Sequence, residues 1–245
     1  MTRLTERNPL TEHSLGNFDY SLVSPPPEAL DALPETVAER TRRVYDRMAG
    51  IYHLSTFFFH SRAHRCALQA SGIRDGMRVL EVATGSGEMF RRLVRANRNG
   101  LNCGIDLSPN MAARSLRRVR RDHPEARATC HAVDARHMPF RDGSFDAVVC
   151  CYLLELLSSD DIELALREFR RVLRARGTFT LTLIGENTQL FNRAYRVCGR
   201  LAPAFWGRQV AERVPDLIEA AGFRIVTDRN VRQGFYPSRV LTSRR

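Results

Sequence analysis

Residues 79–88 read Val-Leu-Glu-Val-Ala-Thr-Gly-Ser-Gly-Glu, and this stretch decides the fold. The apolar residues around one acid predict a buried strand, and the small residues after it predict a tight loop that leads into a helix. Small residues let a ligand approach the backbone, and open α/β sheets bind ligands at the carboxyl ends of their strands. The stretch therefore predicts a ligand site in an α/β sheet.

The spacing of the glycines indicates which ligand to expect. A dinucleotide-binding loop needs a third glycine three residues after the second, but Phe90 stands three residues after Gly87. Glu88 also places a negative charge at the predicted helix start, where a pyrophosphate is favoured by positive potential. We therefore expect a cationic, nucleoside-like ligand that has no phosphate.

Alternating strand and helix patterns predict a parallel sheet. Ser108 and Pro109 have the positions of an N-cap and a first helical residue. The predicted strands are 78–82, 102–106, 128–133, 146–152, 178–183, 224–227 and 235–242. The predicted helices include 62–70, 89–97, 160–174, 189–201 and 215–221.

The chain of 245 residues divides into two parts. Residues 1–34 lack periodicity and contain Ser-Pro-Pro-Pro at 24–27, which predicts a flexible N-terminal arm. Residues 35–245 are expected to form a single domain. Helical spacing over 35–70 predicts a lid, and an amphipathic pattern predicts an insertion helix within 188–205.

Charge excludes some chemistry and leaves two classes of partner open. All 38 residues counted as lysine or arginine are arginines, so neither a Schiff-base lysine nor a P-loop lysine is available. The net charge of +11 could attract anionic lipid headgroups or nucleic acid. The arginines are scattered along the chain, which favours neither partner.

The remaining composition indicates a cytoplasmic protein, with peripheral contact at an anionic membrane surface as an open possibility. No apolar run approaches the ~18 residues of a membrane-spanning helix, and the polar first eight residues lack the apolar core of a secretory signal. The six cysteines form no Cys-x-x-Cys pair and are interpreted as reduced packing residues.

Candidate ligand contacts fall at four successive strand ends. The first is the loop 83–87, and the second is Asp106, whose carboxylate can accept hydrogen bonds from both hydroxyls of a ribose. Asp134 and Ala135 follow the third strand, in a position to hold an adenine amino group. Cys151 and Tyr152 end the fourth strand.

Segments 79–88, 104–111, 145–149 and 171–173 occur in the order of the motifs of class I S-adenosylmethionine-dependent methyltransferases, and the chain resembles that superfamily over about 43–242. Upstream, Tyr-Asp-Arg-Met-Ala-Gly-Ile-Tyr at 45–52 resembles the ubiquinone/menaquinone C-methyltransferase branch. S-adenosylmethionine is cationic, has an amino-acid tail and carries no phosphate, as expected above.

The expected fold is a doubly wound, Rossmann-like α/β domain. Its sheet has seven mostly parallel strands with the last antiparallel, and its helices cover both faces. The resemblance implies cofactor contacts at Ser86, Asp106, Asp134, Ala135 and Cys151, and packing of Leu107 and Met111 against adenine. The full set of predicted cofactor residues is Glu81, Ala83, Thr84, Gly85, Ser86, Gly87, Asp106, Leu107, Met111, Asp134, Ala135 and Cys151.

Several features depart from the quinone branch, and two of them lie at the end of the fourth strand. Cys151 stands where that branch carries a serine, and 153–157 reads Leu-Leu-Glu-Leu-Leu in place of Gly-Leu-Arg-Asn-Val.

An aromatic cluster at 57–59 could cover an apolar acceptor. Candidates for a general base are His53, His60, Tyr152 and Glu155. No acid or cysteine accompanies the histidines at metal-ligand spacing, so no metal site is expected.

The expected function is methyl transfer from S-adenosylmethionine to a small apolar or amphipathic acceptor, such as a quinone precursor or a lipid headgroup. A nucleic-acid methyltransferase is one alternative, although the Asp/Asn-Pro-Pro-aromatic motif of amino-directed base methylators is absent after the fourth strand. A non-catalytic S-adenosylmethionine-binding protein is the other. Oligomeric state stays open.

Overall fold

The computed structural model describes residues 52–185, 210–232 and 237–245, with side chains from residue 61 onward. The predicted arm (1–34), the first part of the lid (35–51) and the insertion helix (188–205) lie outside the described residues.

A seven-stranded sheet forms the centre of the described structure. Its strands are β1 Arg78–Val82, β2 Leu101–Asp106, β3 Ala128–Ala132, β4 Phe145–Cys151, β5 Leu173–Ile184, β6 Arg224–Val231 and β7 Ser238–Arg244. The helices are α1 Tyr52–Ser71, α2 Glu88–Ala96, α3 Pro109–Asp122, α4 Ser159–Val172 and α5 Val214–Ala220, with a 3-10 turn at Leu154–Leu156.

The strand order is β3-β2-β1-β4-β5-β7-β6. Strands β1 to β5 pair in parallel, and β7 runs antiparallel to both β5 and β6. The prediction of a mostly parallel sheet with an antiparallel last strand is confirmed. Because the chain crosses from β3 back to β4, the order reverses at the carboxyl ends of β1 and β4, which is where open α/β sheets bind ligands.

Helices cover both faces of the sheet. Apolar residues of α4 and α5 pack with Leu80 and Val82 of β1 in the largest core cluster. Val79 packs with α1 and α2 on the opposite face, and a further cluster joins α2 and α3 around Phe90. The side chains of β1 therefore alternate between two buried faces, as expected for a strand at the centre of a doubly wound sheet.

Several predicted boundaries are wrong, and β6 continues to Val231, four residues beyond its predicted end. Helix α1 is continuous over twenty residues, where the prediction had a short helix at 62–70; no glycine or proline lies within 52–71 to interrupt it. Helix α4 ends at Val172 and β5 begins at Leu173, five residues before the predicted start. Leu173 is fully buried and pairs with Phe145, and a bulge follows before the regular pairing with β4 resumes.

The last strand is displaced toward the C terminus relative to the prediction. It was expected over 235–242 but runs from Ser238 to Arg244, since its pairing with β5 extends to Arg244 opposite Thr178. The predicted N-cap of α3 is confirmed, because Ser108 accepts a hydrogen bond from the backbone of Met111. Within the described residues, no helix has the length and apolar character needed to cross a membrane.

Candidate functional site

Two non-glycine residues with positive φ lie at the carboxyl ends of neighbouring strands. Ala83 follows β1 with φ 60°, and Tyr152 follows β4 with φ 57°. Such conformations cost about 1–3 kcal/mol each and cluster at functional sites. They lie at the point where the strand order reverses, so the backbone irregularity coincides with the predicted ligand edge.

The two glycines of the loop after β1 have different roles. A Cβ on Gly87 would lie 2.8 Å from the backbone Cα of Ser115, so this glycine lets α2 approach α3 closely. A Cβ on Gly85 would meet nothing nearer than 4.0 Å. Gly85 therefore leaves open space at the edge of the sheet, and it is the glycine that suits close approach of a ligand.

Asp106 joins the loop to the end of β2. Its Oδ2 accepts a hydrogen bond of 2.8 Å from the backbone N–H of Gly85, and its Oδ1 accepts one of 3.0 Å from that of Ser108. An ionised carboxylate has about four lone-pair sites, so further donors, such as the two hydroxyls of a ribose, can be accommodated. The two backbone bonds hold the carboxylate in one orientation.

Glu81 is a buried acid of β1 that has no basic partner within the part of the chain that the structure describes. It is 1% exposed, and its Oε2 has no hydrogen-bond partner there. Burial, with a contribution from the charges of Asp106 and Glu88, raises the pKa of Glu81 well above its ordinary value. A buried carboxyl group that has no counter-charge is costly to ionise, and a cationic ligand would supply that counter-charge.

Asp134, the predicted adenine contact, is clamped by an arginine that the sequence analysis did not identify. Arg136 donates to both carboxylate oxygens over 2.6–3.1 Å and reaches Asp161 on α4 at 2.7 Å. Burial raises the pKa of Asp134, but the hydrogen bonds from Arg136 outweigh it and leave that pKa below its ordinary value. The carboxylate is ionised and already well satisfied.

The negative charge of Glu88 at the start of α2 is neutralised, contrary to the sequence interpretation. Its buried carboxylate forms ion pairs with Arg91 at 3.2 Å, Arg92 at 3.0 Å and Arg118 at 2.6 Å. Arg118 also donates to the carbonyl of Ser86 at 3.3 Å. Glu88 therefore does not make this helix start negative. Of the two features that disfavour a pyrophosphate here, only the missing third glycine still holds.

Other predicted contacts differ in exposure. The side chain of Thr84 is buried, and its Oγ1 lies 3.5 Å from the Cys130 sulfur. Leu107 is 39% exposed at the end of β2, whereas Met111 is buried. Ala135 and Ser86 are partly buried. An exposed Leu107 beside Asp106 provides an apolar surface for a base.

Tyr152, Glu155 and Cys151 lie together at the ends of β4 and β5. The Tyr152 hydroxyl is 2.8 Å from Oγ of Ser238, and its ring centroid is 6.1 Å from that of His64 on α1. Glu155 is 2% exposed, and its Oε1 accepts a hydrogen bond of 2.6 Å from the backbone N–H of Ile184. Burial raises the pKa of the Cys151 thiol, which is therefore uncharged.

The two remaining base candidates stay predictions. His53 and His60 belong to α1, but their side chains, like those of the cluster at 57–59, lie outside the described residues. Among the described residues, no group of three or more His, Cys, Asp or Glu side chains could hold a metal ion.

A family model described as a methyltransferase domain matches residues 79–177, the segment from β1 into β5. Over these residues the chain carries a methyltransferase domain, of the S-adenosylmethionine-dependent kind. The match covers the loop after β1, Asp106, Asp134 and the β4 end. The buried Oε2 of Glu81, the open space at Gly85 and the exposed Leu107 fit this cofactor.

Curated relatives of this methyltransferase domain include enzymes named for quinones. The chain is 28% identical over 184 residues to the ubiquinone/menaquinone biosynthesis C-methyltransferase UbiE of Cellvibrio japonicus, covering 72% of each chain. It is 29% identical over 138 residues to the 2-phytyl-1,4-naphtoquinone methyltransferase of Trichormus variabilis, covering 54% of this chain and 59% of that one. The match thus spans about three fifths of the latter relative.

Solved structures share the fold of the methyltransferase domain at lower identity. The [4+2]-cyclase SpnF superposes with a TM-score of 0.71 at 19% identity over 88% of this chain and 99% of that chain. Magnesium protoporphyrin IX methyltransferase from Synechocystis PCC 6803, solved with bound SAH, gives a TM-score of 0.65 at 19% identity over 85% and 99%.

Proposed function

We propose that this chain transfers the methyl group of S-adenosylmethionine to a small apolar or amphipathic acceptor. One observation carries the proposal: Glu81 is a fully buried carboxyl group with an oxygen that has no hydrogen-bond partner among the described residues, at the edge where open α/β sheets bind ligands. A cation at this edge would complete the site. S-adenosylmethionine supplies an electrophilic methyl carbon on a sulfonium.

The protein's part in this reaction is to bind and to orient. Asp106, held by Gly85 and Ser108, would accept hydrogen bonds from the ribose hydroxyls. Asp134 and Ala135 would lie beside the adenine, with Leu107 against its face. Alignment of an acceptor with an activated methyl carbon can lower a barrier by up to about 7–11 kcal/mol, so no further activation of the methyl group is required.

A quinone precursor or a lipid headgroup is the acceptor class that we propose. The support comes from relatives named for phytylnaphthoquinone and for ubiquinone/menaquinone. The replacement of the branch's Gly-Leu-Arg-Asn-Val segment by 153–157 indicates that any such acceptor is held differently here.

The test uses the purified protein, methyl-labelled S-adenosylmethionine and two acceptor sources: 1,4-dihydroxynaphthalene and a lipid extract. We expect label in an organic-soluble product, together with an equal amount of S-adenosylhomocysteine. The Asp106→Ala variant is the control, since it should lose label in proportion to its weaker cofactor binding. Label confined to aqueous material, or no S-adenosylhomocysteine, would contradict the proposal.

A second candidate function is S-adenosylmethionine binding without methyl transfer. The likeness to the [4+2]-cyclase SpnF favours it, since this fold also occurs in a protein named for a different reaction. Calorimetric binding of S-adenosylmethionine without S-adenosylhomocysteine formation across the acceptor panel would support this candidate.

Contact with an anionic membrane is part of the proposal. Helices α2 and α3 and the loop after α2 carry nine of the chain's arginines, of which Arg91, Arg92 and Arg118 also pair with Glu88: Arg91, Arg92, Arg95, Arg98, Arg114, Arg117, Arg118, Arg120 and Arg121. Attraction to anionic lipid should fall steeply with salt. Co-sedimentation with phosphatidylglycerol vesicles, but not with phosphatidylcholine vesicles, at low salt checks this; equal sedimentation with both would exclude it.

A further inference from the structure

We infer that Glu155 is the catalytic base of the proposed reaction, and that the acceptor is a compound that loses a proton on methylation. Phenolic hydroxyls, and ring carbons that bear hydrogen beside such hydroxyls, belong to this class. The inference rests on the proposed function and deepens it by naming the acceptor chemistry.

The position of Glu155 places it at the ligand edge of the sheet. It belongs to the 3-10 turn that follows β4, and its Oε1 accepts a hydrogen bond from the N–H of Ile184, the last residue of β5. Strands β4 and β5 are neighbours, and Cys151 lies opposite Thr182 in their pairing. The carboxyl group therefore connects the carboxyl ends of two parallel strands next to the point where the strand order reverses.

The second oxygen of Glu155 is the group available for chemistry. Oε2 is buried and has no hydrogen-bond partner in 52–185, 210–232 or 237–245. No basic side chain of the described residues forms an ion pair with Glu155, whereas Glu88 is buried with three arginines. The bond to Ile184 needs only Oε1, so a structural role for Glu155 explains one oxygen and leaves the other unexplained.

The electrostatic surroundings suit a base that works near neutral pH. Burial raises the pKa of Glu155 to about 7, against the opposing effect of the hydrogen bond from Ile184. Among the described residues, the titratable groups that interact electrostatically with Glu155 are the Cys150 and Cys151 thiols of β4, whose own pKa values are raised by burial. Both thiols are uncharged at neutral pH, so they do not compete with Glu155 for the proton.

Tyr152, the neighbouring candidate, is less suited to the role. Its hydroxyl lies 2.8 Å from Oγ of Ser238, so it already has a hydrogen-bonding partner on β7. A tyrosine also has an ordinary pKa near 10 and is a poor proton acceptor at neutral pH.

The proposed step conserves atoms, electrons and charge. An electron pair of the acceptor forms the new bond to the methyl carbon, and the carbon–sulfur bond breaks with its pair going to sulfur, which becomes a neutral thioether. The acceptor's O–H or C–H proton passes to Oε2 of Glu155, which changes from carboxylate to carboxylic acid. Release of that proton to water restores the base.

The experiment compares wild type with Glu155→Gln, and uses Glu163→Gln as the matched control. Glutamine keeps an oxygen for the Ile184 N–H but cannot take a proton. Glu163 lies on α4 in an exposed pair with Arg167. Each protein is checked by thermal melting and by calorimetric binding of S-adenosylmethionine. We follow the methylation of two acceptors from pH 5.5 to 8.5. One is 1,4-dihydroxynaphthalene, which loses a proton on methylation, and the other is dimethyl sulfide, which does not.

If the inference holds, Glu155→Gln binds S-adenosylmethionine within about twofold of wild type but loses about 10²–10⁴-fold in kcat with the dihydroxynaphthalene. The wild-type acid limb near pH 7 disappears, and Glu163→Gln keeps both rate and limb. If Glu155→Gln has a kcat within threefold of wild type and keeps the acid limb, the inference is overturned and the proposed function stays intact. If wild type methylates dimethyl sulfide but not the dihydroxynaphthalene, the inference is likewise overturned and the proposed function stays intact. No binding of S-adenosylmethionine by wild type overturns both.

Discussion

The backbone N–H of Gly85 donates a hydrogen bond of 2.8 Å to Oδ2 of Asp106, so the loop after β1 is joined to the end of β2. The same carboxylate accepts from Ser108 at the start of α3. One side chain therefore holds both the glycine loop and the helix start on either side of the predicted sugar site. Because the backbone bonds orient the carboxylate in advance, a ligand does not have to order it on binding.

Asp106→Ala is expected to weaken S-adenosylmethionine binding at least ~10-fold. The substitution removes charge-assisted bonds to the sugar, worth roughly 1.5–3 kcal/mol each, and also releases the loop. Isothermal titration calorimetry measures the change. Asp142→Asn serves as the control, since Asp142 is 75% exposed and precedes the amino end of β4, whereas Asp106 lies at a carboxyl end. Unchanged affinity in Asp106→Ala would remove the ribose assignment.

The two loop glycines should respond differently to alanine. Gly87→Ala combines a left-handed φ of 76° with a contact of 2.8 Å to backbone, so we expect a loss of about 3 kcal/mol or more in the free energy of unfolding. Gly85→Ala has a φ of 49° but no close neighbour, and should lose only about 1–2 kcal/mol. Urea denaturation measures both.

Ligand binding should also distinguish the two loop glycines. Gly85→Ala should weaken S-adenosylmethionine binding, because the added methyl group enters the space left for the ligand. If Gly85→Ala binds as wild type does, this glycine does not face the cofactor. If both variants lose the same stability, the close packing of α2 on α3 is not what requires Gly87.

Local patterns predicted those parts of the site that lie close together in sequence. The strand 78–82 agrees with β1 residue for residue, because an apolar run ending in a small-residue loop identifies both its ends. Ser108 and Pro109 likewise identified the start of α3. The start of β5 was missed, since Leu173 pairs with Phe145 across a bulge that leaves no local pattern.

Contacts between distant residues could not be predicted in this way. Arg118 reaches Glu88 from thirty positions away, and Arg136 joins Asp134 to an acid of α4. In a chain with 38 basic residues, all arginine, nothing in the sequence marks which ones are paired. The sequence interpretation of Glu88 as an uncompensated charge was wrong for this reason.

Glu88→Ala is expected to lower the free energy of unfolding by about 3–5 kcal/mol. The carboxylate is 3% exposed, and its removal leaves Arg91, Arg92 and Arg118 close together with less counter-charge. Glu163→Ala, which removes only an exposed pair, should cost about 0.5 kcal/mol. Urea denaturation in low and high salt checks both. A loss below 1 kcal/mol for Glu88→Ala would show that the cluster does not stabilise the fold.

Glu155 should make stability depend on pH. Its folded pKa of about 7 lies above its ordinary value, so between about pH 4.5 and 7 the folded state binds more protons than the unfolded state. Stability is therefore highest below this window and falls as pH rises through it, on the order of 3 kcal/mol in total. Glu155→Gln should flatten this part of the curve. Urea denaturation from pH 4.5 to 8 measures it, and equal slopes in both proteins would contradict the assignment.

Binding of S-adenosylmethionine should release a proton from Glu81. Burial raises the pKa of this carboxyl group well above its ordinary value, so it is protonated in the free protein over a wide pH range. A nearby cation favours the ionised form and lowers that pKa. Affinity should therefore rise with pH until the free protein is itself ionised, and be constant above that point. Calorimetry in two buffers of different ionisation enthalpy counts the protons released. Glu81→Gln, which keeps the shape but cannot titrate, should release fewer protons and bind more weakly; the same proton count in both proteins would place the cation away from Glu81.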